Sequence, residues 1–300
     1  MKKFSIQSGH DGLTIQGCAS EPAGEAKGLI QFSHGMCEHK ERYFPFMEWL
    51  SERGYVCVIH DHRGHGESIH SQEDLGYMYE GGWSAMVEDL KLVTDWARSN
   101  YPGLRLTLFG HSMGSMVVRS FTKRYDSLID QLVVCGCPSY NPASGAGRLL
   151  ARLIALFKGW KHRPMLLQAM SFGNYNKQFK GEKSMYAWLC TDPQILKDYR
   201  NDPFCHFIFT CNGFYNLLGL MMDCYSTRGW AMKNPSLPVH FISGGDDPCR
   251  ISDKDLLKAA EAMRKVGYGN VDVKIYPGMR HEILNEVEKK TVWEDVLKML

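Results

Sequence analysis

The chain has 300 residues, 44% of them hydrophobic and 12% aromatic, with 35 basic against 33 acidic residues and a formal net charge of +2. This balance excludes a polyelectrolyte tail and a basic nucleic-acid-binding surface, while the apolar fraction suffices for one large core or a core with an inserted subdomain. The ten cysteines form no Cys-x-x-Cys pair and no histidine spacing completes a zinc site; the opening MKKFSIQSGHDG has a basic pair but no apolar stretch behind it. The expectation is a chain without a secretory signal, in a reducing, cytoplasmic setting.

In chain order, KFSIQS and LTIQGCA flank Gly9-His10-Asp11-Gly12, which predicts a hairpin. GLIQFSHG (28–35) reads as a buried strand and 41–53 as a helix with Phe44, Met47 and Leu50 on one face. YVCVIHD (55–61) is a second buried strand, and 81–101 a helix with Met86, Leu90, Val93 and Ala97 on a stripe. A strand at 104–110, a helix at 115–125 and a strand at 131–137 follow. This alternation argues for an α/β fold with a mostly parallel central sheet covered by helices on both faces.

After Pro138 the rhythm breaks. Residues 139–235 carry helical Leu- and Met-rich patterns without strand alternation; then a strand at 238–245, a helix at 254–266, a strand at 271–278 and a closing helix at 282–300 restore it. The expected organisation is a core of residues 1–137 and 236–300 with a helical cap, 138–235, inserted. Two cap segments are strongly apolar. In 148–160, Leu149, Leu153, Leu156 and Trp160 share one helical face, expected to pack on the rest of the cap, with transient contact with a membrane surface as the other destination. Segment 204–225 is interrupted by His206, Asn212 and Asn216, too often for a bilayer span. Nothing in the sequence bears on oligomeric state.

Gly110-His111-Ser112-Met113-Gly114 fits Gly-x-Ser-x-Gly between a predicted strand and a predicted helix, the context in which that motif presents a nucleophile. A serine hydroxyl needs a base. Among twelve histidines, His281 is the best placed, in the loop after strand 271–278. His111 should point away along the tight turn, and His34, His60, His62 and His65 read as structural hydrogen-bonders. An orienting carboxylate is expected just after strand 238–245, where Asp247 stands, with Asp246 as the near alternative. The order Ser112, Asp247, His281 is the serine–acid–histidine order of this architecture. Oxyanion donors are expected from the backbone N–H groups of Met113 and of Met36, in SHGMCEH after strand 28–35.

These residues resemble the serine-hydrolase branch of the α/β-hydrolase superfamily, and more narrowly the monoacylglycerol lipase and lysophospholipase group with its bacterial esterases. The resemblance rests on FSHGMCEHKERY (32–43), HDHRGHGES (60–68), FGHSMGS (109–115), ISGGDDP (242–248) and YPGMRHEILNE (276–286). It implies a carboxylic ester hydrolase acting on a small-molecule acyl ester or lipid through an acyl-enzyme, with Ser112 as nucleophile, His281 as base, Asp247 as acid and the Met36 and Met113 amides as the oxyanion hole. It implies no metal and no cofactor. In HDHRGHGES it implies a structural loop built on Asp61, Arg63, Gly64 and Gly66; Glu38, His39, Arg42 and Tyr43 read as loop scaffolding and Cys249 as a bystander. Phe207, Phe214, Leu217 and Met221 are expected to line an acyl pocket, although cap packing would use the same residues. The triad alone does not separate an esterase from an amidase or peptidase, a thioesterase or an acyltransferase.

Overall fold

Strands that read as unbroken apolar runs need cover on both faces, and the computed structural model, which describes residues 1–300, provides it. Eight strands form one sheet: β1 (Lys2–Gln7), β2 (Thr14–Ser20), β3 (Gly28–Ser33), β4 (Tyr55–His60), β5 (Leu106–His111), β6 (Gln131–Cys135), β7 (Val239–Gly244) and β8 (Val271–Tyr276). Their order is β1-β2-β4-β3-β5-β6-β7-β8. β1 and β2 pair antiparallel, as does β2 with β4; every later pairing is parallel. This is the α/β-hydrolase arrangement.

Successive strand residues feed opposite layers. Leu106 and Leu108 of β5, with Leu132 and Val134 of β6, join a 40-residue cluster with α2 (Gly82–Asn100), α3 (Met113–Tyr125) and α8 (Asp253–Val266). Phe109, Val133 and Cys135 face the other way, into a 19-residue cluster with α1 (Phe44–Ser51) and α9 (Lys289–Met299). The parallel register brings the carboxyl ends of β5 to β8 to one rim, where His111 stands opposite Cys135, and Gly244 opposite Tyr276. All ten cysteines are free and buried within this fabric.

Between β6 and β7 lie four helices: α4 (Ser144–Lys158), α5 (Met165–Phe172), α6 (Pro193–Asn201) and α7 (Cys211–Tyr225). α7 packs on α4, and also on α2 and α3 of the core. The asparagines that interrupt its apolar run are its rivets: Asn212 Oδ1 accepts from the Met78 amide at 2.8 Å and Asn216 Oδ1 from the Trp83 amide at 3.2 Å. No helix is long and apolar enough to cross a membrane.

Two sequence expectations need correction. The apolar face of α4 does not pack on the cap. Its buried residues are Ser144, Ala151 and Ala155, and Gly147 lies against Leu218, so the face that meets α7 is the small-residue one. Leu150 and Ile154 pack half-buried beside it, while the predicted stripe is turned outward, with Leu156 70% and the neighbouring Phe157 89% exposed. The closing helix begins at Lys289 rather than 282. Residues 282–288 stay in turns because their groups are committed elsewhere: the Glu282 carboxylate to Arg42, the Leu284 carbonyl to the Trp293 indole, and the Glu286 carboxylate to the Thr191 and Arg280 amides.

Candidate active site

Ser112 stands between β5 and α3 with φ 53° and ψ −117°, a conformation rare for a residue with a side chain. Tight packing enforces it. A Cβ at Gly110 would run into the Gly114 carbonyl, and one at Gly114 into the Ser33 carbonyl, so only glycine lets helix and strand approach this closely. The Ser112 amide is tied to the Cys135 carbonyl at 2.9 Å, which fixes the turn to the neighbouring strand.

The loops beyond β7 and β8 bring two further residues to this point. His281 Nε2 lies 2.8 Å from Ser112 Oγ, and His281 Nδ1 lies 3.0 Å from Asp247 Oδ1. With the Nδ1 proton donated to Asp247, Nε2 is left to accept from the serine hydroxyl. Asp247 is fixed as well: Oδ1 accepts from the Cys249 amide at 2.8 Å and Oδ2 from the Ser243 hydroxyl at 3.3 Å. Burial by itself would raise the Asp247 carboxyl, but the imidazole and the Cys249 amide outweigh it and hold it below the ordinary carboxylate range. The alternative, Asp246, takes no part; its carbonyl accepts from Gln178 Nε2.

The amides of Met36 and Met113 donate to no acceptor within the chain. A Cβ on Gly35 would sit 3.1 Å from Ser112 Cβ, so the loop carrying Met36 runs directly beside the serine. Glu38 braces that loop. Its carboxylate accepts from the Gly35 amide at 2.5 Å, Tyr43 Oη at 3.0 Å and Arg42 Nη1 at 2.8 Å. His111 does point away from the serine, but into a network: Nδ1 lies 3.2 Å from Glu38 Oε1 and Nε2 3.2 Å from the His281 carbonyl. Burial disfavours charge on both partners; their pairing, with Arg42, overcomes it, lowering the Glu38 carboxyl and raising the His111 imidazole. Arg42 also forks onto both oxygens of Glu282 at 2.7 Å, joining the Met36 loop to the His281 loop. Glu282 escaped sequence reasoning, since nothing but its place next to His281 singles it out.

The HDHRGHGES loop is structural in the manner expected. Asp61 receives the Lys40 ammonium at 2.7 Å, and Arg63 binds Asp89 at 2.8 Å and Asp11 at 2.9 Å. His34, His60, His62 and His65 are fully buried, and His34 accepts from the His62 amide at 2.9 Å; His60 departs from the expected hydrogen-bonding role, since neither of its ring nitrogens has a partner. Burial pushes His60 and His65 down to about 3. Of the apolar candidates, Phe214 and Leu217 lie inside the large core cluster, Phe214 with no exposed surface. Phe207 and Met221 are half-buried; Phe207 stacks on Phe209 with ring centroids 6.1 Å apart, and Met221 Sδ accepts from the Ser144 hydroxyl.

Two groups bring metal-type donors within 4.8 Å of one another: His39–Asp202–Cys205 and Asp247–Cys249–His281. In each the imidazole already bonds the carboxylate, and burial pushes the thiol up, away from the thiolate that a metal requires. Neither donor set fits a resident metal.

Residues 24–288 match the serine aminopeptidase S33 family. The chain belongs to that family. Among curated relatives, a monoglyceride lipase homolog of monkeypox virus is 35% identical over 285 residues, spanning 92% of this chain and 90% of that protein. The mouse monoglyceride lipase is 33% identical, over 90% of this chain and 80% of its own length, and the Mycolicibacterium smegmatis monoacylglycerol lipase 27% identical, over 92% and 88%. A thermostable carboxyl esterase from Bacillus coagulans, solved with glycerol, superposes with a TM-score of 0.89 at 24% identity, over 100% of this chain and 98% of that one. The family member described here is a carboxylic ester hydrolase on the α/β-hydrolase fold.

Proposed function

We propose that this enzyme cleaves monoacylglycerol- or lysophospholipid-type esters through a Ser112–His281–Asp247 triad. The supporting observation is the continuous hydrogen-bonded line from Ser112 Oγ through His281 to Asp247, 2.8 and 3.0 Å, at the sheet's carboxyl rim. Ser112 Oγ attacks the ester carbonyl carbon while His281 Nε2 takes its proton. The Met36 and Met113 amides hold the oxyanion, a contribution of roughly 100- to 1,000-fold per donor. The alcohol leaves with the proton from His281, and water then releases the acyl group. No metal or cofactor enters the scheme. Residues 138–235 are read as the cap, with Phe207 and Met221 beside the acyl chain and Phe214 and Leu217 packed behind them.

The substrate reading draws on the names of the relatives and on the cap surface. Leu149, Leu153, Leu156, Phe157, Leu166 and Met170 are exposed on α4 and α5. No Asp or Glu occurs between Asp130 and Glu182, and Arg152 and Lys158 are exposed on α4, whereas Lys161 is paired with Asp74 and Arg148 and Arg163 are held by backbone carbonyls. An apolar helix face with exposed Arg152 and Lys158 and no acidic residue of its own suits an anionic lipid surface, from which a lipid ester would be drawn. The experiment is a fluorophosphonate probe with an ester panel. Wild type should be labelled and Ser112→Ala spared; labelling of that variant overturns the triad. Monoacylglycerol and lysophospholipid should be turned over faster than an aminoacyl anilide, and a preference for the anilide would instead favour the peptidase reading.

A further inference from the structure

The cap does more than roof the site. Its stretch from Tyr175 to Thr191 runs along the loop that carries His281 and grips its backbone. The His281 amide donates to the Trp188 carbonyl at 3.4 Å and the Glu282 amide to the Leu189 carbonyl at 2.7 Å. Arg280 Nη1 donates to the carbonyls of Ala187 at 2.6 Å and Cys190 at 3.2 Å, and its guanidinium pairs with Glu182. Glu286 accepts from the Arg280 amide at 2.6 Å and the Thr191 amide at 2.8 Å, closing the clamp from the other side.

At the centre of this grip, the Trp188 indole lies against the His281 imidazole, ring centroids 5.1 Å apart and planes inclined at 38°. The indole is itself held. Tyr175 meets it edge-on at 5.0 Å, and the Trp188 amide donates to Asn176 Oδ1 at 3.1 Å. The other groups around the imidazole are Asp247 on Nδ1, Ser112 on Nε2, the Cys249 thiol 3.9 Å from Nε2, and the His111 ring at 4.8 Å. Of these only Asp247 is an anion, and it occupies one edge.

We propose that Trp188 is a positioning residue for the base: its π face stabilises the imidazolium that forms when the serine, and later the hydrolytic water, attacks. The inference rests on the proposed role of His281. As the Ser112 O–H bond breaks, its electron pair forms the bond to the carbonyl carbon and its proton forms the Nε2–H bond. The ring becomes a cation within the roughly 6 Å range over which an aromatic face attracts charge. Because that charge is absent in the ground state, the indole's contribution falls on kcat rather than on substrate binding.

The test compares Trp188→Leu with Trp188→Phe on p-nitrophenyl butyrate. Trp188→Leu should lower kcat roughly 3- to 30-fold with KM little changed, while Trp188→Phe, which keeps a π face, retains most of it. Wild-type kcat in Trp188→Leu, equal losses in both variants, or a loss confined to KM would each overturn the proposal. Fluorinated tryptophan at all seven positions covers the case in which Trp188→Leu does not fold. kcat should then fall stepwise with fluorine number in the wild-type background and stay flat in Trp188→Phe; a flat wild-type series refutes the role. His281→Ala separates the two levels. If it keeps its activity, the base assignment fails; if it is dead while the Trp188 series is flat, only the present inference does.

Discussion

The two sides of the cap dispose of their side chains in opposite ways. The side from Tyr175 to Thr191 spends its polar groups on the core, carbonyls to the His281 loop and a threonine to Glu286, and braces itself through Asn176 on the Trp188 amide. The side from Leu149 to Met170 packs inward through Leu150, Ala151, Ile154, Ala155 and Leu167, and holds Leu149, Leu153, Leu156, Phe157, Leu166 and Met170 out to the surroundings. One side grips the His281 loop and cannot shift without moving that imidazole. The other makes no hydrogen bond to the His281 loop.

The sharpest way to break this contrast is at the clamped side's own charge. His281→Ala should cut kcat by roughly 10⁴-fold or more, leaving only what oxyanion donors and binding supply, measured by single-turnover acylation. Loosening the clamp rather than removing the base should have an intermediate effect. Glu286→Gln puts an amide N–H₂ where only donors point at it, so stability should fall by about 1–3 kcal/mol, read by urea unfolding, and kcat should fall with it. A variant with unchanged stability and kcat would show that the clamp does not hold the histidine loop.

The buried histidines beneath the Met36 loop can be stressed by pH. The folded chain keeps His60 and His65 neutral down to about 3, whereas the unfolded chain protonates them below about 6.5. The unfolded state therefore binds more protons between those values. Stability should be complete above about pH 6.5 and decline as pH falls through the window, each histidine contributing a slope of about 1.4 kcal/mol per pH unit. Both ring nitrogens of His60 lack a partner, so His60→Phe should flatten part of that slope. On the free side the expected effect on catalysis is smallest. Leu156→Glu with Phe157→Glu should leave turnover of a soluble acetate ester within about twofold, yet weaken sedimentation with anionic vesicles, because roughly 1.5–3 kcal/mol of burial is lost per side chain. Equal vesicle binding by the double variant would remove the lipid-surface reading.

The core was legible because its signals are local. Unbroken apolar strands, a glycine-flanked serine and acids and histidines at strand ends each follow from a few adjacent residues, and the order of the three candidate catalytic residues came with them. The cap was not, because its logic is tertiary. The stripe of α4 looks like a packing face until Gly147, Ala151 and Ala155 are seen to be the surface α7 needs. Glu282 and Trp188 lie in turns with no periodicity, and their partners, Arg42 and His281, are far away in sequence. Likewise, the helix expected from 282 is displaced because its first residues have stronger bonds to make elsewhere.

The ten enclosed thiols turn the molecule into a set of clocks. A thiol that no reagent can touch reacts only when its surroundings open, so each cysteine's trapping rate dates one local excursion. Cys190 and Cys205 would time the release of the cap from the histidine loop, while Cys57 and Cys135 would time the parting of the sheet itself.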